Sequence, residues 1–161
     1  MTAIGIIGAG AWGTALAQAL AGNGTTVVIW AREAELVAEI NSAHRNSLFL
    51  PGVSLSPHIR ATANLAELAQ LPTLLVVTPA QHLARVLADL PNAPRDLVLC
   101  AKGIEASTGR LMAEVAAAVL PSAHLAVQPG SHLVREGRPG QHRQVRAGQN
   151  GSGYLGHQPA S

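Results

Sequence analysis

Short apolar runs alternate along the chain with longer segments rich in helix-forming residues. A run of four to six residues rich in valine, isoleucine and leucine is typical of a buried strand, whereas apolar positions spaced by three or four are typical of an amphipathic helix. The runs predicted to be strands are residues 3–7, 26–30, 59–62, 73–78, 96–101 and 124–127. The segments predicted to be helices are residues 14–21, 33–44, 65–71, 82–90 and 108–120.

The boundaries of these elements carry their own signals. Pro79 closes the fourth strand, Pro121 ends the last helix, and Ser107 or Thr108 is the predicted N-cap of that helix. Strands that alternate with helices predict βαβ units, because parallel strands need a crossover connection. The fold class is therefore α/β, with a doubly wound parallel sheet covered by helices on both faces.

The periodic pattern ends at Val127. Residues 128–161 hold seven of the 16 glycines and show neither a helical nor a strand period. We therefore predict a compact domain over residues 1–127 and a Gly/Arg-rich, disordered tail over residues 128–161. The tail is basic, with four Arg and one Glu, but it has no aromatic interleaving apart from Tyr154. Nucleic acid is therefore not the expected partner.

The composition of the 161 residues excludes several classes of protein. Hydrophobic residues make up 48% of the chain and charged residues 12%, which does not fit a wholly disordered chain. Cys100 is the only cysteine, which excludes a disulfide scaffold, and the seven histidines lack metal-ligand spacing. No apolar stretch reaches 18 residues and the first residues lack a basic region, so we expect no membrane insertion, no signal peptide and a cytoplasmic location.

A complete G-x-G-x-x-G motif, GAGAWG, lies between the first predicted strand and the first predicted helix. In this context the motif predicts a dinucleotide site in a Rossmann-type fold. Gly8 allows the tight turn, Gly10 lets a pyrophosphate approach the backbone, and Gly13 lets the helix pack close to the strand. The helix N-terminus then favours the phosphate charge.

The second predicted strand ends without the acidic residue that would bind a ribose 2′-hydroxyl. Arg32 stands there instead, and a guanidinium can pair with a 2′-phosphate and stack on adenine. Glu33 is expected to start the next helix. The sequence therefore favours NADP(H), or the use of both NADP(H) and NAD(H), while a solvated surface arginine is the alternative for Arg32.

Three segments in this order carry a resemblance to a known family: GAGAWGTALA at residues 8–17, NSLFLPG at residues 46–52 and AKGIE at residues 101–105. They resemble bacterial NAD(P)-dependent glycerol-3-phosphate dehydrogenase over about residues 1–127. The resemblance implies reduction of dihydroxyacetone phosphate to sn-glycerol 3-phosphate, a phospholipid precursor. It also implies a small phosphorylated substrate and, for the intact family, a homodimer.

The resemblance also implies roles for single residues. Trp12 would contact the nicotinamide nucleotide, Arg32 the adenosine end, and Phe49 would line the cofactor cleft. Lys102 resembles the family lysine that meets both cofactor and substrate. Lys102 is also the only lysine in the chain, and an ammonium after a buried strand can bind phosphate or polarise a ketone. The alternatives are packing for Trp12 and Phe49, and a solvated loop position for Lys102.

The family pattern breaks after Val127. The family continues with Ser-Gly-Pro-Thr/Ser-Phe-Ala and then with an all-helical substrate domain that carries a second lysine, the general acid/base. This chain has Gln128 and Pro129 there instead, although an adjacent reading frame over residues 128–132 can encode Ser-x-Gly-Pro-Thr. We therefore expect a truncated, frame-shifted dehydrogenase with no catalytic residue of its own.

The favoured function at this point is the cofactor domain of the dehydrogenase, with little or no turnover alone. Two other functions remain open, and the first is a non-catalytic NADP(H)-binding module. A related oxidoreductase that acts on another small carbonyl compound with a partner chain is the second, and the match of all three segments argues against it.

Overall fold

The computed structural model describes residues 3–101, 103–127 and 134–135 of the chain. Its strands are β1 (Ile4–Ile7), β2 (Val27–Trp30), β3 (Ile59–Thr62), β4 (Thr73–Val76), β5 (Asp96–Leu99), β6 (His124–Val127) and β7 (Val134–Arg135). Its helices are α1 (Ala11–Ala21), α2 (Ala34–Ala43), α3 (Leu65–Leu68), α4 (Leu83–Ala88) and α5 (Met112–Val119). A single 3₁₀ turn, Ala80–His82, precedes α4.

The strands form one sheet in the order β3-β2-β1-β4-β5-β6-β7. The first six are parallel to one another, which confirms the predicted α/β class. The chain order reverses between β1 and β4, because β2 and β3 lie on one side of β1 while β4 to β6 lie on the other. Such a reversal opens a crevice at the carboxyl ends of the strands, where ligands of open α/β sheets bind.

Helices cover both faces of the sheet, as the doubly wound prediction requires. One apolar cluster joins side chains of α1 and α2 to one face, centred on Ile6 and Ile29. The second cluster joins α3, α4 and α5 to the opposite face, centred on Leu74 and Leu97. Successive residues of a strand point to opposite faces, so the neighbours Ile6 and Ile7 belong to different clusters. Burial on both faces explains why the strands are continuous apolar runs.

Two helix starts differ from the predictions by more than one residue. α1 begins at Ala11, three residues before the predicted start, because the last part of the glycine turn is itself helical. α5 begins at Met112, so neither Ser107 nor Thr108 is its N-cap. Those residues lie in a turn in which Gly109 N–H donates to the Glu105 carbonyl oxygen, 2.7 Å away, and this turn delays the helix.

The tail prediction falls almost entirely outside the described residues. Residues 128–133 and 136–161 are not described, and neither is Lys102. The two residues of β7 pair antiparallel with the end of β6, where the sequence pattern predicted no strand. Among the described helices, none has both the length and the apolar character needed to cross a membrane.

Candidate cofactor site

The carboxyl ends of four strands lie side by side at one edge of the sheet. Ile7 is the register partner of both Trp30 and Val76, and Val76 is the partner of Leu99. Hydrogen bonds continue just past the strand ends, from Gly8 N–H to the Trp30 carbonyl at 3.1 Å and from Cys100 N–H to the Val76 carbonyl at 2.9 Å. The loops after β1, β2, β4 and β5 therefore start from one edge of the sheet, next to the point between β1 and β4 where the strand order reverses.

The glycine turn after β1 needs two of its glycines for reasons of space. Gly8 has φ +117°, a conformation that side chains rarely adopt, and a Cβ there would lie 3.3 Å from the Val77 carbonyl carbon. A Cβ on Gly13 would overlap the Gly8 carbonyl oxygen. Gly13 thus lets α1 pack directly against the turn, as the motif predicted.

Gly10 serves a different purpose, because a Cβ built on it meets no atom of the described residues within 4 Å. The first hydrogen bond of α1 runs from Thr14 N–H to the Gly10 carbonyl at 2.9 Å, so the amides of residues 11–13 have no acceptor within the helix. The first turn of α1 holds no acidic residue that would neutralise its positive end. This open backbone at a helix N-terminus fits a pyrophosphate.

Asn46 attaches the loop of residues 46–52, the second of the three motif segments, to this turn, a connection for which the sequence pattern gives no signal. Its side chain is completely buried, and its Nδ2 lies 2.9 Å from the Ala9 carbonyl oxygen and 2.7 Å from Thr14 Oγ1. Its Oδ1 accepts a hydrogen bond from Phe49 N–H at 3.0 Å. The loop of residues 46–52 is therefore held against the glycine turn, although 37 residues separate Asn46 from Ala9.

Arg32 lies where the sequence places it, directly after β2. The preceding residue, Ala31, is buried and its N–H donates to the Thr62 carbonyl at 3.0 Å, whereas Arg32 itself is exposed. Within the described part of the chain, Arg32 forms no ion pair. Glu33 is the N-cap residue of α2, as expected. A guanidinium at this edge is available to a ligand beside β2.

Trp12 and Phe49 are both exposed, with 55% and 39% of their surfaces accessible. Trp12 stands in the first turn of α1, next to the open backbone of Gly10. Phe49 lies in the loop that Asn46 holds to the turn. Exposure of large aromatic side chains argues against a purely structural core role.

Lys102 lies outside the described residues, so its placement stays a prediction. The residues that follow it form a loop in which Gly103 has φ +106° and Ile104 bridges to Leu111. Gln81, in the 3₁₀ turn after β4, holds this loop, because its Oε1 accepts a hydrogen bond from Ala106 N–H at 3.2 Å. The loops after β4 and β5 are thus joined at the same edge as the glycine turn.

Cys100 lies at this edge but is not suited to react as a nucleophile. Its surface is 9% exposed, and burial raises the pKa of its thiol, which favours the unreactive protonated form. No cluster of three or more potential metal ligands occurs within residues 3–101 and 103–127.

A parallel sheet in this strand order, with a glycine-rich turn between its first strand and first helix, defines the Rossmann class of domain. A sequence model described as the N-terminus of NAD-dependent glycerol-3-phosphate dehydrogenase matches residues 3–149, and the chain belongs to this family. The resemblance is thereby confirmed, and the match continues past residue 127, where the three motif segments had suggested that it ends.

Individual relatives agree with this assignment. The chain is 55% identical over 143 residues to glycerol-3-phosphate dehydrogenase (NAD(P)+) of Erythrobacter litoralis, covering 86% of this chain and 43% of that protein. It is 55% identical over 139 residues to the enzyme of the same name from Novosphingobium aromaticivorans, covering 84% and 42%. The chain therefore spans about two fifths of the length of these relatives.

A solved structure also matches the fold. The crystal structure of glycerol-3-phosphate dehydrogenase from Coxiella burnetii superposes with a TM-score of 0.71 at 32% sequence identity. The match covers 78% of this chain and 40% of that one.

Proposed function

We propose that this chain is the cofactor-binding part of a glycerol-3-phosphate dehydrogenase that reduces dihydroxyacetone phosphate to sn-glycerol 3-phosphate with NADP(H) or NAD(H). The observation that carries the proposal is the glycine turn, in which Gly10 faces open space beside the first amides of α1, which have no acceptor within the helix. Family membership supports the substrate, since the relatives that bear this name are 55% identical to the chain.

Each candidate residue has a role in this proposal. The backbone of Gly8, Gly10 and Gly13 holds the pyrophosphate, and the exposed ring of Trp12 packs on the nicotinamide half of the cofactor. Phe49 forms a wall of the cleft from the loop that carries Asn46.

The proposed chemistry needs a cation near the ketone oxygen. When bound, the reduced nicotinamide supplies the hydride. Lys102, the only lysine of the chain, holds the substrate phosphate or polarises the ketone. The general acid/base of the family is a second lysine, which this sequence does not contain.

Replacement of Arg32 by Asp tests the cofactor preference. The wild-type chain is expected to bind NADPH at least as tightly as NADH, because Arg32 is exposed and free of ion pairs in the described part of the chain. Arg32→Asp removes a charge-assisted contact worth about 1.5–3 kcal/mol, so NADPH binding weakens about tenfold to a hundredfold and NADH becomes preferred. Calorimetric titration with both cofactors measures the change.

Arg85→Asp is the matched control for this substitution. It makes the same change of charge at an exposed position of α4, which packs on the face of the sheet opposite to α1 and α2, and should leave both affinities unchanged. A wild-type chain that clearly prefers NADH would contradict the role given to Arg32.

Turnover by the purified chain is expected to be near background. Hydride transfer to a ketone needs a proton donor, and positioned general acids accelerate such steps by about 10²–10⁴-fold. The measurement is NADPH oxidation that depends on dihydroxyacetone phosphate. Robust turnover would contradict this prediction and would mean that Lys102 or another residue of this chain donates the proton.

A non-catalytic NADP(H)-binding module is the alternative, because the glycine turn that carries the proposal accounts for cofactor binding alone. Sequencing the gene beyond codon 127 separates the two functions. A longer frame that encodes a second lysine supports the dehydrogenase, whereas an intact frame with the present tail supports the binding module.

A further inference from the structure

The peptide between Ala9 and Gly10 is held from one side. Its carbonyl oxygen accepts hydrogen bonds from Asn46 Nδ2 at 2.9 Å and from Thr14 Oγ1 at 3.2 Å. A trans peptide is planar, so its N–H points away from its carbonyl oxygen. Two donors on the Ala9 oxygen therefore direct the Gly10 N–H to the opposite side, and the backbone at Gly10 is open to solvent.

Asn46 and Thr14 together form a clamp on the Ala9 carbonyl oxygen. This clamp is rigid because every polar group of the Asn46 side chain makes a hydrogen bond. The two Nδ2 protons go to the Ala9 oxygen and to Thr14 Oγ1, and Oδ1 accepts from Phe49 N–H. The Thr14 hydroxyl donates to the Ala9 oxygen and accepts from Asn46, so its proton has one direction. A fully satisfied network whose two polar side chains, Asn46 and Thr14, are buried leaves the Ala9–Gly10 peptide little freedom to flip.

We propose that Asn46 is a positioning residue of the cofactor site, which acts with Thr14 to fix the Ala9–Gly10 peptide so that the Gly10 N–H donates to the pyrophosphate. This inference rests on the proposed cofactor function. The loop of residues 46–52 then does more than position Phe49, because its residue Asn46 also orients the backbone that binds the phosphate.

Two substitutions separate the clamp from the attachment of the loop. Asn46→Asp keeps an oxygen for Phe49 N–H but removes both donors. Thr14→Val introduces no charge and removes both the second donor to the Ala9 oxygen and the acceptor of one Asn46 Nδ2 proton, but it leaves the hydrogen bond from Phe49 N–H to Asn46 Oδ1 that attaches the loop. Each is expected to weaken NADPH binding about tenfold. Thr14→Ser retains the hydroxyl and should bind as the wild-type chain does. A role limited to attaching the loop predicts that Thr14→Val binds normally.

Asn41→Ala provides the matched control. Asn41 also makes two hydrogen bonds to backbone, donating to the Ala61 carbonyl at 2.9 Å and accepting from Ala61 N–H at 2.8 Å, but these lie between α2 and β3. The variant should lose thermal stability and keep its affinity for NADPH. Affinity that falls equally in Asn41→Ala and Thr14→Val would overturn the positioning role.

Amide NMR supplies a readout that stability does not affect. In the wild-type chain the Gly10 amide resonance should shift strongly when NADPH is added, and in Thr14→Val this shift should shrink. Normal binding by folded Thr14→Val, with an unchanged Gly10 shift, refutes the inference while the proposed function stands. A wild-type chain that binds neither NADPH nor NADH refutes both.

Discussion

Gly10→Val is expected to abolish binding of NADPH and NADH while leaving the chain folded. A Cβ built on Gly10 meets no atom of the described residues within 4 Å, and its φ of −67° suits residues with a side chain, so we expect the fold to tolerate the substitution. The same open volume is where the pyrophosphate must approach the backbone, and a valine fills it. Calorimetry measures the loss of binding, and circular dichroism measures the retained helix content.

Gly24→Ala is a useful comparison, because a Cβ there also meets no atom within 4 Å and Gly24 lies beyond the other end of α1. It has φ +79°, so some stability is lost, but cofactor binding should persist. Normal binding of NADPH by Gly10→Val would show that the glycine turn is not the cofactor site.

Gly13→Ala is expected to destabilise the domain by about 3 kcal/mol, the upper range for overpacking by a single group. The added Cβ overlaps the Gly8 carbonyl oxygen, which is backbone at the end of β1 and has no alternative rotamer. α1 must then move away from the sheet, which loosens the packing of its own residues Ala17 and Ala21 against β2. Thermal and urea denaturation measure the loss.

Gly22→Ala on the same helix controls for the intrinsic preference of helices for alanine, worth about 1 kcal/mol. Its Cβ would lie 3.4 Å from the Gln18 carbonyl oxygen, and its φ of −60° suits alanine. Stability should remain or rise. A Gly13→Ala chain as stable as Gly22→Ala would mean that α1 can shift without cost, contrary to the close packing described above.

Local sequence was sufficient for the strands because their signal is local. The bounds predicted for β3 and β6 agree with the structure, and those of the other parallel strands differ by no more than two residues. Buried strands in a doubly wound sheet are continuous runs of apolar residues, and no distant contact is needed to recognise them. The position of the glycine turn could also be predicted from local sequence, because the spacing of its three glycines is specific to this type of turn.

Predictions for the helix starts were less accurate because tertiary contacts decide them. The chain from Glu105 to Gly109 resembles a helix start in sequence, yet it forms a turn held by Gln81 from the preceding loop. α5 begins only at Met112, where the Glu114 carboxylate accepts a hydrogen bond from Leu111 N–H at 2.9 Å. Local propensity gives no information about such a competing partner.

The sequence by itself thus determined the α/β class, the position of the glycine turn between β1 and α1, and the arginine that follows β2. Only the tertiary structure decided that Asn46 reaches the Ala9 carbonyl, that Gly13 is excluded from bearing a side chain by the Gly8 oxygen, and that Trp12 is exposed. The physical reason is range. Periodicity and turn chemistry depend on residues that are neighbours in the chain. The hydrogen bond from Asn46 to Ala9 joins residues 37 positions apart, and it can form only when the sheet and its loops bring them together.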